Sequence, residues 1–476
     1  MVEAEQRRAS GKRRFLTFSL STALLLMTAV GIGLTLKLEH DRLRESRAAA
    51  DAVQTAGGKL VRDETLPRSL RSRIVQLLLG SDPFATVVEV DFTYHQPGDD
   101  VLRHLTRARH LRTLNLYGAG TTVAGSAHLK KLATLEDLSL IACPITDAGL
   151  ANLAPLTHLK KLHLAQTQIT DAGLLHLSGL IEMEELDLRQ NHLPGTGLRH
   201  LSRMKKLRSL WAEMSYVSDA GLACLKKNTS LQILTLGAFI TDDGMKHLAA
   251  LTDLQELQLT NARITGTGLA SLVNLKHLAK LNLDHTQVRD DGLEHLSHLP
   301  KLEELQMTSV KVGDAGMAHL AKLPRLLWLG LYATEVGDKG LWHLRQLPRL
   351  AILNIQETRI TDEGLKVPPE MKNLQHLYLA RNKIGDAGMK HIGMISTLTN
   401  LNLHLTQVGN SGIEQLQGLK HLHTLVLFET NVTDAGLIYL RHVRSLRSVS
   451  LPKTGVSATA VAELKRALPK ADIYIY

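Results

Sequence analysis

Ten aspartates recur at one place in a repeating pattern, and their type and spacing are the first feature that suggests chemistry. They are Asp147, Asp171, Asp219, Asp242, Asp290, Asp314, Asp338, Asp362, Asp386 and Asp434. A regular set of carboxylates suits calcium binding or acid–base catalysis. Each aspartate also stands at a predicted helix start, where the helix dipole and free backbone N–H groups favour an anion without any ligand. We therefore predict a structural role for this set, with no metal and no catalytic carboxylate.

Histidines show a similar recurrence. Nine of the 23 histidines occupy one equivalent place: His104, His128, His176, His200, His247, His295, His319, His343 and His391. Imidazole binds transition metals, but a metal needs ligands that converge on one point. Equivalent places in stacked repeats form a line with a spacing of roughly 5 Å. We therefore predict that these histidines pack on the convex surface beside buried leucines.

The local motifs of enzymes are missing. The glycine-rich stretch from Gly120 to Gly125, followed by Ser126, lacks the lysine that reaches a phosphate. No G-x-S-x-G, H-E-x-x-H or C-x-x-C motif occurs. Cys143 and Cys224 stand at different places of their repeats, so we expect two free, partly buried thiols. We predict no catalytic residues and no cofactor; an enzyme would need residues from several repeats that no local motif reveals.

Composition and charge narrow the class of protein further. The chain has 476 residues with a net charge of +10, 44% hydrophobic and 21% charged residues, and two cysteines. A disulfide-built scaffold needs more cysteine, and a disordered chain needs fewer apolar residues. Residues 1–60 hold a net +4, and their only dense basic run lies between Arg7 and Arg14. Because no other basic run exists, nucleic acid is not an expected partner.

The basic residues near the start directly precede a run of uncharged residues, as is typical of the flank of a membrane anchor. Residues 15–36 carry no formal charge over 22 positions and end at Lys37, which is long enough to span a bilayer. A cleaved signal peptide is the alternative, but no A-x-A-like site follows the run. We predict a basic cytoplasmic tail (1–14), a transmembrane anchor (15–36) and a stalk helix or linker (37–60). Five basic residues before the span against four after it favour a cytoplasmic N-terminus and an extracytoplasmic, periplasmic body.

A leucine pattern with a 24-residue step organises the remainder. Triplets of the form L-x-x-L-x-L recur from Leu111 to Leu446, and the step is 23 residues only between Leu231 and Leu254. A weaker copy begins at Val87. We predict an N-terminal capping segment (61–86), sixteen repeats (87–469) and a C-terminal capping strand (470–476).

Positions within a repeat, counted from the first leucine of the triplet, have separate roles. Leu162 and Leu164, at positions four and six, point into the core of an extended strand, while residues at positions three, five and seven point outward. One parallel strand and one short convex helix are expected per repeat. A small polar residue at position nine, such as Thr167, is expected to bond backbone in the turn. The glycine at position fifteen, such as Gly173, is expected where neighbouring repeats approach too closely for a Cβ atom, with a positive φ as the alternative.

The unit L-x-x-L-x-L followed by [IV]-[TG]-D-x-G-[LM]-x-x-L resembles the leucine-rich repeat superfamily over about residues 87–476. Its I-T-D-A-G-L form is similar to bacterial membrane-anchored members and to the repeats of F-box substrate receptors. The segment 66–80 and the Phe18-Ser19-Leu20 start of the anchor also resemble the bacterial group. The chain has no room for an F-box, so no ubiquitin-ligase role is carried over. The resemblance implies an α/β solenoid, with parallel strands on a concave face and short helices on a convex face, that binds a partner.

The outward strand positions divide the concave face into two parts. In repeats three to ten, acidic residues exceed basic ones at these positions. In repeats eleven to sixteen the eighteen outward positions carry no formal charge, where the 21% average would give about four charged residues. The aromatic and histidine side chains at these eighteen positions are Trp328, Tyr332, His376, Tyr378, His404 and Phe428. Loss of charge with gain of aromatic residues is typical of interface cores, although aromatic residues also suit strands in general.

These residues form the candidate site, which Trp211 extends. The favoured hypothesis is a membrane-tethered, non-enzymatic protein that binds a protein or peptide on its concave face. A second hypothesis is binding of envelope glycans, because Asn354, Gln356, Asn400 and Asn402 stand beside the aromatic residues. A third is a structural or assembly role in which the histidine-lined convex face mediates association.

Overall fold

The computed structural model describes residues 20–63, 76–453 and 455–475. The predicted cytoplasmic tail (1–14), the first five residues of the predicted anchor (15–36) and most of the segment 66–80 lie outside the described residues. The predicted domain boundaries at those places therefore stay predictions.

One continuous sheet contains every strand of the described residues. The strands are β1 (Lys59–Arg62), β2 (Val87–Asp91), β3 (Thr113–Asn115), β4 (Asp137–Ser139), β5 (Lys161–His163), β6 (Glu185–Asp187), β7 (Ser209–Trp211), β8 (Ile233–Thr235), β9 (Glu256–Gln258), β10 (Lys280–Asn282), β11 (Glu304–Gln306), β12 (Trp328–Gly330), β13 (Ile352–Asn354), β14 (His376–Tyr378), β15 (Asn400–Asn402), β16 (Thr424–Val426), β17 (Ser448–Leu451) and β18 (Asp472–Ile475). The strands from β2 onward pair in parallel with their neighbours in chain order. The predicted solenoid of parallel strands, one per repeat, is confirmed.

Short helices connect the strands on the convex side. The α-helices are α1 (Leu20–Thr55), Asp99–Leu102, Val123–Leu129, Asp147–Ala151, Asp219–Cys224, Asp242–Met245, Gly266–Leu269, Asp314–Leu320, Asp338–Leu344, Asp386–Ile392, Asn410–Glu414, Asp434–Leu440 and Ala458–Ala467. The 3₁₀ helices are Arg103–Arg107, Gly173–Leu177, Thr196–Arg203, Leu225–Lys227, Lys246–Ala250, Ala270–Asn274, Asp290–His298, Gly364–Lys366, Pro368–Glu370 and Gln415–Gly418. Residues 76–79 are also helical. Many of these helices are a single turn, because a 24-residue repeat leaves little length for the convex side.

The core is a continuous stack of leucine and other aliphatic side chains between the strands and the helices. Leu162 and Leu164 are fully buried, while His163 between them lies on the concave surface and is only partly buried. The predicted inward and outward alternation of the strand residues is therefore confirmed. Burying one such leucine contributes about 1.5–3 kcal/mol, and no single repeat can do so without its neighbours.

Where position nine is polar, its side chain bonds to backbone in the turn after the strand, as predicted. The hydroxyl of Thr167 donates to the carbonyl of Leu164 in its own repeat (3.0 Å). The longer amide of Asn191 reaches back to the same Leu164 carbonyl from the next repeat (2.7 Å). Asn382 makes the equivalent link to Ile355 (2.6 Å). Position nine therefore joins neighbouring repeats as well as satisfying its own turn.

The ten aspartates bond to the following repeat rather than to their own helix. Oδ1 of Asp147 accepts from the backbone N–H of Thr170 (2.8 Å), and Oδ2 accepts from the Thr170 hydroxyl (2.6 Å). All ten carboxylates accept an N–H from the next repeat in this way. The structural role is as predicted, but the partner is different: the aspartates link repeats and do more than cap a helix.

Position fifteen is glycine because of these aspartates. A Cβ atom added at Gly173 would lie 2.2 Å from Oδ1 of Asp147. The same contact, at 2.1–2.7 Å, recurs at Gly125, Gly244, Gly268, Gly316, Gly340, Gly364, Gly388 and Gly412. None of these glycines has a positive φ. Close approach between repeats is therefore the reason for the glycine, and the alternative of a left-handed backbone is wrong.

Helix α1 caps the N-terminal end of the solenoid. Its residues Leu43, Ala49, Ala50 and Val53 are buried. The predicted stalk (37–60) is therefore packed at these residues and does not act as a free spacer there. The helix ends at Thr55, and Gly57 follows with a φ of 86°. Among the described residues, no helix combines the length and the apolar character needed to cross a membrane.

Strand β1 is a feature that the sequence pattern does not predict. It pairs antiparallel with β2, so that Leu60 lies opposite Val90. The sequence analysis divided these residues between a linker and a capping segment. Their pairing covers the edge of the first repeat strand, whose N–H and C=O groups would otherwise lack partners.

Candidate partner-binding surface

The six residues Trp328, Tyr332, His376, Tyr378, His404 and Phe428, here called the aromatic patch, lie on the concave side of β12 to β16. Trp328 and His376 belong to one row across the sheet, with Ile352 paired between them. Tyr378 belongs to the next row, between Asn354 and Asn402. Because neighbouring strands are about 4.8 Å apart, these side chains share one surface. The structure therefore brings the six predicted residues together.

The indole of Trp328 lies over a glycine on its own strand. A Cβ atom added at Gly330 would be 3.3 Å from Cη2 of Trp328. The missing side chain thus leaves room for the ring to lie against the sheet. The ring remains partly exposed toward the concave side.

Tyr332 is oriented by a carboxylate at the edge of the patch. Its hydroxyl donates to Oε2 of Glu357 (2.7 Å), and Arg381 lies 3.7 Å from the same carboxylate oxygen. The hydrogen bond to Glu357 raises the pKa of Tyr332, with a smaller contribution from burial. Tyr332 is therefore a neutral, fixed aromatic side chain at ordinary pH.

His404 and Phe428 form a stacked pair. Their ring centroids are 3.7 Å apart with an interplanar angle of 28°. Nδ1 of His404 lies 3.0 Å from the carbonyl oxygen of Phe428, and Glu429 is 3.9 Å from the same nitrogen. The pair is a rigid apolar anchor with one polar edge.

Three amides between the aromatic residues bond to each other. Nε2 of Gln356 donates to Oδ1 of Asn354 (3.0 Å), and Nδ2 of Asn402 donates to Oε1 of Gln356 (3.3 Å). Oδ1 of Asn402 also accepts from the backbone N–H of His404 (3.0 Å). The amides therefore fix the surface, and part of their hydrogen-bonding capacity is already used.

His376 lies among these neutral groups without a charged partner at its own strand positions. Burial lowers its pKa below the ordinary value of 6.5, because a partly desolvated site disfavours the imidazolium form. His376 is thus uncharged near neutral pH.

The charges closest to the patch stand at its border. Position eight follows the last concave residue of a repeat and has a positive φ in most repeats, with 51° at Glu357, 58° at Arg381 and 55° at Glu429. The backbone N–H groups of Glu357 and Arg381 donate to position seven of the next repeat (2.9 Å each). An uncharged centre with a charged border is the usual arrangement of a protein interface.

The sequence does not predict these border residues, because the predicted concave face comprises positions three, five and seven. The left-handed backbone at position eight is not visible in the sequence, because Glu357, Arg381, Leu405 and Glu429 are not residue types that indicate a positive φ.

Trp211 does not join the aromatic patch. It lies on β7, five strands before β12, and its ring stacks at 6.4 Å on His163. At about 4.8 Å per strand, roughly 24 Å separates it from Trp328. Trp211 belongs to the charged part of the concave face.

Many acidic side chains of this charged part are paired with a neighbouring lysine or arginine. Lys161 bonds Glu185 (2.6 Å) and Lys280 bonds Glu304 (2.9 Å) across neighbouring strands. Arg189 covers Asp187, which is 1% exposed, with two hydrogen bonds of 2.9 and 2.8 Å. The net acidic surface expected from the sequence is therefore a set of paired charges with few unpaired carboxylates.

Within the described parts of the chain, no group of three or more His, Cys, Asp or Glu side chains is arranged to hold a metal ion. The two cysteines are free thiols, as predicted. Cys143 is buried, and its Sγ lies 3.0 Å from the carbonyl of Leu116. Burial raises the pKa of this thiol, so it is a poor nucleophile.

Comparison with known proteins agrees with the repeat fold. A family model described as a leucine-rich repeat region matches residues 83–317 and 245–472. A leucine-rich repeat protein from Leptospira interrogans has a similar structure, with a TM-score of 0.54 and 20% identity over 77% of this chain and 96% of that one. An internalin from Listeria monocytogenes has a TM-score of 0.49 and 23% identity over 71% of this chain and 86% of that one. No curated protein sequence matches the chain.

Proposed function

Since the chain belongs to the leucine-rich repeat family, we propose that it is a membrane-tethered, non-enzymatic binding protein whose aromatic patch engages a protein or peptide. The observation that carries this proposal is the uncharged aromatic surface of β12 to β16 with its charged border. We propose that the repeat domain is extracytoplasmic, in the periplasm.

The physics of interfaces supports a protein partner. Large aromatic side chains that are already fixed, such as Trp328 over Gly330 and the His404–Phe428 pair, contribute most of the binding energy at typical interfaces. The strands that carry them are hydrogen-bonded to both neighbours. Little conformational entropy is therefore lost when a partner binds.

The same contacts make a glycan the second candidate. Sugars are bound by stacking on aromatic rings together with several hydrogen bonds to hydroxyl groups. The amides of Asn354, Gln356 and Asn402 are bonded to each other, so a sugar would have to compete for them. A protein that covers the rings gains from the apolar area without that competition.

The proposed membrane tether rests on the apolar run and on the exposed side of α1. Residues 15–36 contain no formal charge. Apolar side chains of this run are exposed at Leu24, Leu25, Met27, Val30, Ile32 and Leu34. A bilayer would remove this apolar surface from water. The buried end of α1 at Val53 would then hold the solenoid close to the membrane.

The experiment that tests the aromatic patch is a crosslinking pull-down from native membranes. It compares the unmodified chain with a variant carrying Trp328→Ala, Tyr332→Ala, Tyr378→Ala and Phe428→Ala. We expect a protein that the unmodified chain captures and that this variant loses. Circular dichroism of both chains must show the same fold, because Tyr332 also orients Glu357.

A control variant removes four exposed apolar side chains of the convex side: Leu175→Ala, Ile181→Ala, Trp342→Ala and Ile438→Ala. It should capture the same protein as the unmodified chain. If the patch variant captures the same set, or if no chain captures a protein, the aromatic patch is not a protein site. If the unmodified chain then binds envelope polysaccharide and the patch variant does not, the glycan is the ligand of the patch. If only the convex control loses self-association, the protein has an assembly role.

The tether has a separate test. Removal of residues 1–36 should release the protein from the membrane fraction without changing its melting temperature, because the buried residues of α1 begin at Leu43. A truncated chain that still sediments with membranes would contradict the proposed anchor.

A further inference from the structure

A cavity of about 400 Å³ opens on repeats six to eight, away from the aromatic patch. Its walls include Glu213, Met214, Tyr216, Phe239 and Asn261. Nothing in the aromatic patch contributes to it. An inference about this cavity therefore rests on the proposed binding of a protein partner but not on the aromatic patch.

The cavity coincides with the one short step of the repeat pattern. The step from Leu231 to Leu254 is 23 residues, and the turn from Gly237 to Ile240 closes through a backbone hydrogen bond of 3.2 Å. Phe239 stands in this shortened turn at position nine, where most other repeats have a small polar side chain that bonds the backbone. Its ring projects outward and is 42% exposed, so the interruption leaves a hollow with one aromatic wall.

Two further side chains complete the apolar wall. Tyr216 and Phe239 have ring centroids 5.2 Å apart at an angle of 37°. Met214 is 68% exposed and lies at the mouth. Aromatic faces and a thioether together attract alkyl chains and cations.

The polar part of the cavity is a carboxylate with one unused oxygen. Oε2 of Glu213 is buried and has no hydrogen-bond partner among the described residues. The other oxygen, Oε1, lies 3.6 Å from Arg189, which is itself bonded to Asp187. A buried acceptor without a donor costs about 1–3 kcal/mol, so a donor supplied by a ligand would be stabilised at this point.

The charge of the cavity selects the class of ligand. Two guanidinium groups lie near the walls: Arg189 is bonded to Asp187 through two hydrogen bonds, and Arg263 lies 5.8 Å from the centroid of the Phe239 ring. An anionic ligand would meet the carboxylate of Glu213, and a purely apolar ligand would leave Oε2 unpaired. A ligand with a cationic end and an apolar stem would donate to the carboxylate of Glu213 and cover the apolar wall.

We propose that this cavity binds an arginine or lysine side chain of a protein partner, with the cationic group on Glu213 and the alkyl stem against Tyr216, Phe239 and Met214. The site is a specificity pocket for one basic residue. It borders the charged part of the concave face, to which Glu213 and Gln258 of its walls belong.

Methionine-methyl NMR of the full chain tests the proposal with N-acetyl-arginine amide as the probe. The chain has 11 methionines, and Met214→Leu identifies the signal of Met214. We expect a saturable shift of that signal with a dissociation constant in the millimolar range, which corresponds to a binding free energy on the order of 4 kcal/mol. The signal of Met394, exposed on the convex side, should not move. N-acetyl-citrulline amide, a neutral isostere, should give no saturable shift.

The variant Glu213→Gln keeps the shape and removes the charge, and it should weaken binding of the arginine probe at least about tenfold. Phe239→Leu should weaken binding several-fold by removing the ring. Glu294→Gln, at an exposed convex carboxylate, is the matched control and should change nothing. Unmoved signals of the other methionines show that each variant is folded.

Equal shifts with the arginine and citrulline probes would overturn the proposal, as would binding that Glu213→Gln leaves unchanged, or no shift of Met214 at all. Each of these results leaves the aromatic patch untouched. Failure of the pull-down from native membranes, in turn, has no bearing on the titration.

Discussion

At the scale of single residues, the molecule depends on a contact between an aspartate and a glycine of consecutive repeats. Asp147 uses both carboxylate oxygens on Thr170, and this position brings Oδ1 to the place where a Cβ atom of Gly173 would stand. The helix dipole explains why an acid is tolerated there. The hydrogen bonds across the repeat boundary explain why nine of the ten aspartates face a glycine in the next repeat; Asp434, whose next repeat has Ala460 at that position, is the exception.

Gly173→Ala should lower the stability by about 1–3 kcal/mol, because the new methyl group overlaps Asp147 and forces a shift of a packed neighbour. Chemical denaturation followed by circular dichroism measures the change. Gly179→Ala is the matched control, since a Cβ atom there meets nothing within 4 Å, and its effect should stay within about 0.5 kcal/mol. In an Asp147→Ala background the cost of Gly173→Ala should shrink; equal costs in both backgrounds would contradict the proposed collision.

His376 should make partner binding depend on pH. Its pKa lies below the ordinary 6.5 because of burial, and a partner that covers it would disfavour the protonated form further. Affinity should therefore fall several-fold as the pH drops from 7 to 5. The free protein should also lose stability as the pH falls from 6.5 through the lowered pKa, because the unfolded chain takes up the proton first.

The measurement for this prediction is a titration of the captured partner at several pH values, with His376→Gln as the comparison. That variant keeps a polar side chain that does not titrate, and its affinity should change less with pH. His404 is the other histidine of the patch, and Glu429 lies 3.9 Å from its Nδ1. If His404→Gln removes the pH dependence and His376→Gln does not, the assignment to His376 is wrong.

At the scale of elements, the N-terminal cap shows how a repeat protein closes one end. The first repeat strand pairs with β1, and the buried side of α1 covers the core beneath it. Ion pairing between Arg107 and Glu45 (2.8 Å) and a hydrogen bond from Arg47 to the carbonyl of Leu79 (2.9 Å) hold the helix in place. A terminal repeat without such a cap would expose its core to water.

Val53→Asp should detach this cap, because it places a charge in a fully buried site at a cost of about 3–5 kcal/mol. Hydrogen exchange should accelerate in β1 and β2, while strands near the middle of the solenoid keep their protection. Ala48→Asp, on the exposed side of the same helix, should leave exchange unchanged. Uniform loss of protection along the whole sheet would mean that the solenoid unfolds as one unit.

At the scale of the whole molecule, one repeated scaffold carries two different surfaces. Repeats three to ten present paired charges and the cavity beside Glu213, whereas repeats eleven to sixteen present the uncharged aromatic patch. Because each repeat contacts mainly its neighbours, a surface can change along the chain without a change of fold. The regular 24-residue step keeps the two surfaces on the same concave side.

Deletion of residues 302–325, one full repeat between the cavity and the patch, should leave a folded protein. In the complete chain, Asp290 accepts from the N–H of Gly313 (2.6 Å) and Asp314 accepts from the N–H of Gly337 (2.7 Å). The deletion removes Gly313 and Asp314 together, so Asp290 would accept from Gly337 instead. Circular dichroism should retain its shape, and partner capture by the patch should persist. Deletion of 12 residues from the same repeat is the control that breaks the register, and it should unfold the region; a folded control would contradict the repeat-by-repeat description.

The sequence by itself determined the solenoid, because its evidence is local and periodic. The spacing of Leu162 and Leu164 set the strand and its inward side, and the 24-residue step set the parallel order. The same periodicity identified the uncharged outward positions that became the aromatic patch, and it located the aspartates, the glycines and the polar residues at position nine.

Only the tertiary structure decided which residues meet across repeats. The carboxylate of Asp147 lies against Gly173 of the next repeat, Glu357 orients Tyr332 of the previous one, and α1 folds back as a cap. The short step from Leu231 to Leu254 was visible in the sequence, but the cavity beside Glu213 was not. These contacts depend on the packing of distant segments and on a left-handed backbone at position eight, and neither is encoded in a local pattern.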